Sequence, residues 1–263
     1  MPSANAPGAF RPRHVVIGTI LFLLFFLTAL PAWLLPWVIK KYQYNQIITY
    51  NPSGSFWNGT ATGQIEIPLP SSAPYKLNLD QISWSWKPAR LFAGELAWNV
   101  LLENKSARFS GVIGTGFSGL RIRGAQAEVP AQFIVDVYPA ATLFKPEGKL
   151  QLTTEDFTIN DNNFSGKVQL DWRGAATIMS RVNPLGEYRA LINATGNVAD
   201  LQLSTLSGAL KLNGKGNWSA KDGPRFSGSA QAEAAQAANI EPLLKLLGRP
   251  PVNGAYPLDW PPK

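Results

Sequence analysis

From Val15 to Ile39 the chain runs 25 residues, VVIGTILFLLFFLTALPAWLLPWVI, without a charged side chain. A run of that length exceeds what a buried core helix uses and constrains everything around it. At about 1.5 Å per residue it makes roughly 37 Å of helix, more than the roughly 30 Å of hydrocarbon in a bilayer. The reading is a membrane helix with ends at Val15 and Ile39, tilted or bent. Pro31 and Pro36 each lack a backbone donor and are expected to kink its last turns. Trp33 and Trp37 beside them suit the membrane-water interface. A basic start before an apolar run is also the form of a cleaved signal peptide. The length of the stretch, the lack of an A-x-A site in TALPAW and the Lys40-Lys41 pair after it favour a retained anchor.

Charge supplies the direction. The 263 residues carry a formal net charge of +7. Arg11, Arg13, Lys40 and Lys41 flank the apolar run, and residues 1–41 hold no acid. The rest of the chain, with 20 basic against 17 acidic side chains, is close to balanced. A short basic tail stays on the cytoplasmic side, whereas a long domain is translocated largely regardless of its charge. The expected organisation is a cytoplasmic tail over residues 1–14, a transmembrane helix over 15–39 and a periplasmic β domain over 42–263. The basic excess therefore describes an anchor and its headgroup lipid. No concentrated basic stripe with interleaved aromatics signals nucleic acid.

Beyond Tyr42 the pattern is period-two alternation in short runs separated by Gly, Pro, Asn and Ser, the signature of strands and turns. In KVQLDW, Val168, Leu170 and Trp172 share one side while Lys167, Gln169 and Asp171 share the other. The same device recurs in Gln64 to Ile67, Tyr75 to Trp86, Glu95 to Leu102, Leu120 to Arg123, Lys149 to Thr153, Val198 to Leu203 and Leu210 to Asn213. Such one-sided strands predict antiparallel sheet with one wet face. Apolar-Ser-Gly triplets recur irregularly, as in Phe164-Ser165-Gly166 and Phe226-Ser227-Gly228, and read either as turn chemistry or as a duplicated strand unit. Val129 to Pro139 fits a short helix or a buried strand. Ala237 to Leu247 places Ile240, Leu243, Leu244 and Leu247 at helical spacing before Gly248, predicting a short amphipathic helix. The proline-rich tail after it is expected to be extended.

Chemistry is sparse. With no Cys and one His, thiolate zinc sites, disulfides, cysteine nucleophiles and the usual histidine metal sites are unavailable. No phosphate-binding loop, H-E-x-x-H or G-x-S-x-G occurs. Glu155, Asp156 and Asp161 form an acidic cluster in a segment that reads as a polar hairpin connection, and Arg121 with Arg123 as an ordinary exposed strand face. The reading is thus no enzyme, no catalytic or metal residue and no cofactor. The distinctive residues are aromatic: Trp84 and Trp86 share a strand face, and Trp57 and Trp98 flank them. They are candidates either for the core or for an apolar groove or contact surface.

Three blocks carry a resemblance: GSFWNGTATG from Gly54 to Gly63, LDQISWSWKPARLFAGELAWNV from Leu79 to Val100, and IEPLLKLLGRPPVNGAYPL from Ile240 to Leu258. In this combination the chain resembles the type II secretion system protein N family. The resemblance implies a single-pass, N-in component of the inner-membrane assembly platform, acting by protein contacts to support export of folded proteins from the periplasm across the outer membrane. It implies partners among the other inner-membrane or periplasmic secretion components and no catalytic site. A more distant similarity to AsmA-like proteins implies a rival reading, a lipid-binding or lipid-transport protein with an apolar β-groove. The expected fold is mainly β: an N-terminal transmembrane helix, a curved antiparallel sheet or sandwich, and a short C-terminal helix.

Overall fold

The structure is a computed structural model that describes residues 12–41, 47–69, 72–117, 119–160, 163–219, 221–246, 250–251 and 254–261. Of the expected cytoplasmic tail, residues 1–11 lie outside the described residues, as do Asp161, Leu247 and Gly248.

The apolar run does not form one helix. Helix α1 spans Pro12–Thr28 and α2 spans Leu34–Lys41, which contains Ile39, with irregular backbone between them. Pro31 has no N–H and disfavours helical geometry in the residue before it, so the helix stops ahead of it. Pro36 is tolerated because it falls in the first turn of α2, where its missing donor has no partner to lose. No helix among the described residues is long and apolar enough by itself to cross a membrane. Helix α1 is apolar all round and leaves Val15 55% and Phe25 71% exposed, so it is not packed on the rest of the chain.

Among the described residues thirteen strands follow and form one sheet in strict sequence order. They are β1 (Ile47–Gly54), β2 (Asn58–Leu69), β3 (Ser72–Trp86), β4 (Glu95–Glu103), β5 (Arg108–Gly116), β6 (Gly119–Pro130), β7 (Glu147–Asn160), β8 (Asn163–Ala176), β9 (Gly186–Gly196), β10 (Val198–Gly208), β11 (Leu210–Ser219), β12 (Gly223–Ala232) and β13 (Tyr256–Trp260). Each pairs antiparallel with the next, β1 does not meet β13, and the sheet is open. Of the two architectures expected, the single sheet is the one found.

Its register explains why the alternation in the sequence is so regular. One cross-strand row reads Ala61, Ile82, Leu102, Phe109, Ala127, Leu152, Leu170, Ala190, Leu203, Gly214, Gly228 and Leu258, apolar or glycine on every strand from β2 to β13. The row one residue away reads Gln81, Glu103, Arg108, Glu128, Gln151, Asp171, Arg189 and Ser204, polar throughout. Because side chains alternate across a strand, a slip of one residue anywhere would exchange the two faces. A sheet of this width seldom stays flat. Consistent with curling, rings of Phe164 on β8 and Trp218 on β11 approach to 6.3 Å across the two strands between them.

Turns after odd-numbered strands lie at one end of the sheet and turns after even-numbered strands at the other. The second end carries the covering elements. Val129 to Pro139 resolves as the last residues of β6 followed by a short helix, α3 (Phe133–Val137), whose Phe133 ring lies 5.3 Å from Tyr75 of β3. Helix α4 (Ala237–Lys245) seats Ile240, Leu243 and Leu244 on Leu185, Leu210 and Ala230, as its spacing predicts. The proline-rich tail then returns as the edge strand β13.

Candidate functional site

The end of the sheet reached after odd strands gathers the residues singled out in the sequence. In the chain between β1 and β2, Gly54 to Asn58 form a tight turn in which the backbone N–H of Ser55 donates to the Asn58 carbonyl at 2.8 Å. The irregular segment between α1 and α2 bonds directly to this turn. Phe56 N–H donates to the Leu30 carbonyl at 2.8 Å, Ala32 N–H donates to the Gly54 carbonyl at 3.1 Å, and Pro31 forms a β-bridge with Ser55. Ala32 is 1% exposed at this junction. The helix break is therefore part of the sheet's structure.

Tryptophans hold the turn from the other side. The Trp84 indole N–H is shared between the Ser55 and Phe56 carbonyls, at 3.2 and 3.1 Å. Its ring lies where a side chain of the facing residue would be: a Cβ on Gly59 would stand 2.4 Å from it, so only glycine fits. Trp57 lies 4.5 Å from Trp86 and stacks on Trp98 at 6.5 Å, while Phe56 meets Trp98 edge-on at 6.2 Å. All four candidates, Trp57, Trp84, Trp86 and Trp98, thus come together, each half-buried. The Trp86 indole N–H is buried without an acceptor among the described residues. Sequence reasoning missed Phe56, Gly59 and the Leu30 to Ala32 segment. The prolines announced a kink but not what the kink would bind.

Two charged features correct expectations. Glu155 and Asp156 lie inside β7, not in a hairpin connection, and Arg123 is not an ordinary exposed residue: its side chain is only 15% exposed. Arg123 donates to both oxygens of Glu95 at 2.7 Å, and its Nε lies 3.7 Å from Asp156, which also accepts from Arg121 Nε at 2.8 Å. The physical reason is cross-strand: Gly114 on β5 has no side chain, and Glu95 fills that space, with a Cβ there only 2.2 Å from its oxygen. A second pair is formed by Asp171, side chain 6% exposed, accepting from Arg189 Nε at 2.7 Å and Nη2 at 2.8 Å. Arg189 holds the Asp171 carboxyl below its ordinary value, and Arg121 does the same for Asp156. Groups with depressed folded-state pKa contribute stability that is complete above the ordinary aspartate range and is lost as pH falls through the lowered values. Denaturation midpoints are therefore expected to hold from neutrality to about pH 5 and then fall, with Asp171→Asn flattening the acid limb. An acid limb identical in that variant would refute the assignment.

Among the described residues no group of three or more His, Cys, Asp or Glu is arranged to hold a metal ion. On the apolar face, α3 roofs a pocket of about 590 Å³ over β3 to β6, lined by Leu77, Leu79, Leu102, Phe109, Val129 and Phe133.

These features define a class: an open, one-sided antiparallel sheet hydrogen-bonded to the segment after a preceding apolar helix, with aromatic and ionic packing at one end of its strands. The family model for type II secretion system (T2SS) protein N matches residues 47–259, and the chain belongs to that family. It is accordingly a type II secretion component. No curated protein and no solved structure matches it.

Proposed function

We propose that the protein is a non-enzymatic component of the inner-membrane platform of its secretion system. In this reading α1, extended by the apolar residues after it, anchors the chain with its N-terminus in the cytoplasm, and the sheet stands in the periplasm. There it supports export of folded proteins across the outer membrane by contacting other components. The observation that carries the reading is the junction of Leu30 to Ala32 with Gly54 to Phe56, which makes an all-round apolar helix and a secretion-family sheet one piece. An anchor so joined sets where the sheet stands as well as holding it near its partners. Strand addition at the sheet edges is restricted, because Pro52 interrupts β1 and Pro257 interrupts β13. Partner contacts then rest on side chains more than on a backbone ladder.

The test is photo-crosslinking in cells that carry the secretion system, with the probe at Tyr50 or Trp260, 49% and 53% exposed on the two outer strands. Adducts with other components of the same system are expected, together with loss of secretion on deletion of the gene. Unimpaired secretion in the deletion strain would refute the role.

The roofed pocket favours one second reading, a lipid-handling protein, since about 590 Å³ lies within the range of small-ligand sites. Lipid copurifying stoichiometrically in native mass spectrometry would support it. An empty pocket in protein taken from native membrane would remove it.

A further inference from the structure

The junction limits how far the sheet can stand from the membrane. Helix α1 has 17 residues, but Pro12, Arg13 and His14 precede the apolar run, and Val15 to Thr28 makes about 21 Å at 1.5 Å per residue, against roughly 30 Å of hydrocarbon. The missing distance of about 9 Å falls to residues 29–33. Leu30 and Ala32 within that stretch are hydrogen-bonded to the turn after β1 and Pro31 bridges Ser55, so no linker separates the anchor from the sheet. The turns after β3 and β5 lie at the same end and within five strand spacings, about 24 Å.

Those turns are apolar and uncovered. Phe92 is 96% exposed, Leu91 47%, and Phe117 101%. Phe117 sits beside the Pro88–Ala93 turn, its ring 3.5 Å from where a Cβ on Gly94 would be. Trp33, in the helix break, is 65% exposed at the same end. Exposed Lys87 and Arg90 stand next to Leu91 and Phe92. Aromatic rings with adjacent cations are the side-chain set that partitions into the headgroup layer, the rings at the hydrocarbon boundary and the cations among the phosphates.

We infer that this end of the sheet is a membrane-seating surface, with Phe92 and Phe117 inserted into the leaflet from which α1 emerges. The inference rests on the reading of α1 as the anchor. It gives the sheet one orientation, strands rising from the bilayer and the α3 and α4 end turned away from it.

The chain has no cysteine, so single replacements carry one label each. Full-length Phe92→Cys, Phe117→Cys, Ile178→Cys and Leu21→Cys proteins, labelled with an environment-sensitive fluorophore, are reconstituted in phosphatidylethanolamine-phosphatidylglycerol vesicles containing lipids with a shallow nitroxide. Ile178 is the control: apolar, 57% exposed and at the opposite end of the sheet. Labels at 92 and 117 are expected to be quenched at least about twofold more than the label at 178. Quenching at 21 with none at 92 and 117 leaves the anchor standing and overturns the seat. No quenching at 21 removes the anchor, and the seat with it. Labels at 92 and 117 shielded from aqueous iodide but untouched by nitroxide lipid would place a protein there and also overturn the inference.

Discussion

Trp84→Ala is expected to lower the stability of the protein by about 3 kcal/mol, near the lower end of what large aromatic deletions cost. The half-buried ring is packed on Gly59, which cannot move in to fill the space because a side chain there has no room while the tryptophan is present and no atoms once it is gone. The indole N–H also serves two carbonyls of the turn that receives the helix break. Loss of both loosens the docking of Leu30 and Ala32, so the effect reaches the segment that joins α1 to the sheet. Trp84→Phe keeps most of the ring and removes the donor, and is expected to cost about 1 kcal/mol. Chemical denaturation of the detergent-solubilised full chain measures both. A Trp84→Ala protein that unfolds at the normal midpoint yet no longer supports secretion would make the ring a partner contact and refute the supporting role. Trp86 is the informative comparison, since its N–H has no acceptor among the described residues to lose.

Ile240→Asp is expected to cost about 4 kcal/mol or more, because it places an unpaired carboxylate in an apolar site. Ile240 is 0% exposed and sits between Leu210 of β11 and Ala230 of β12. The short helix α4 reaches those strands through Ile240, Leu243 and Leu244, so displacing it uncovers the end of β9 to β13. Ile240→Val, which removes one methylene, should cost only about 1 kcal/mol. Hydrogen exchange would show the loss concentrated in β11 to β13 and the first strands little changed, since β1 to β4 lie at the far side of the sheet in strand order. Unchanged protection there in Ile240→Asp would refute the assignment of α4 as their cover.

Much of this architecture is legible in the residues. KVQLDW alternates because Val168, Leu170 and Trp172 face Ile192, Ala190 and Tyr188 on β9 while Lys167 and Asp171 face Asn193 and Arg189. Ile240, Leu243 and Leu244 declare a helix face by spacing alone. The four tryptophans mark the candidate site, and their nearness in sequence to β2, β3 and β4 is what allows them to meet. Glu95 and Arg123 are different. They lie 28 positions apart, and nothing about either predicts that a glycine on the strand between them will leave the space in which they pair. Asp156 likewise looked like a loop acid because polar residues on the wet face of a strand resemble polar residues in a turn.

The residues alone announce one-sided antiparallel strands, the terminal helix, the family resemblance and the apolar run before the sheet, and leave sheet and sandwich open. These follow from short-range periodicity and from the order of the chain, both of which can be read without knowing how distant parts approach. The three-dimensional fold adds that the strands form one open sheet in chain order, that the apolar run breaks ahead of Pro31 and that the break is bonded to the turn after β1. A proline frees carbonyls and donors wherever it interrupts a helix, but which groups satisfy them depends on what the fold brings alongside. Here that was the Ser55-Phe56 turn, held by Trp84, and the choice joined the apolar helix to the sheet.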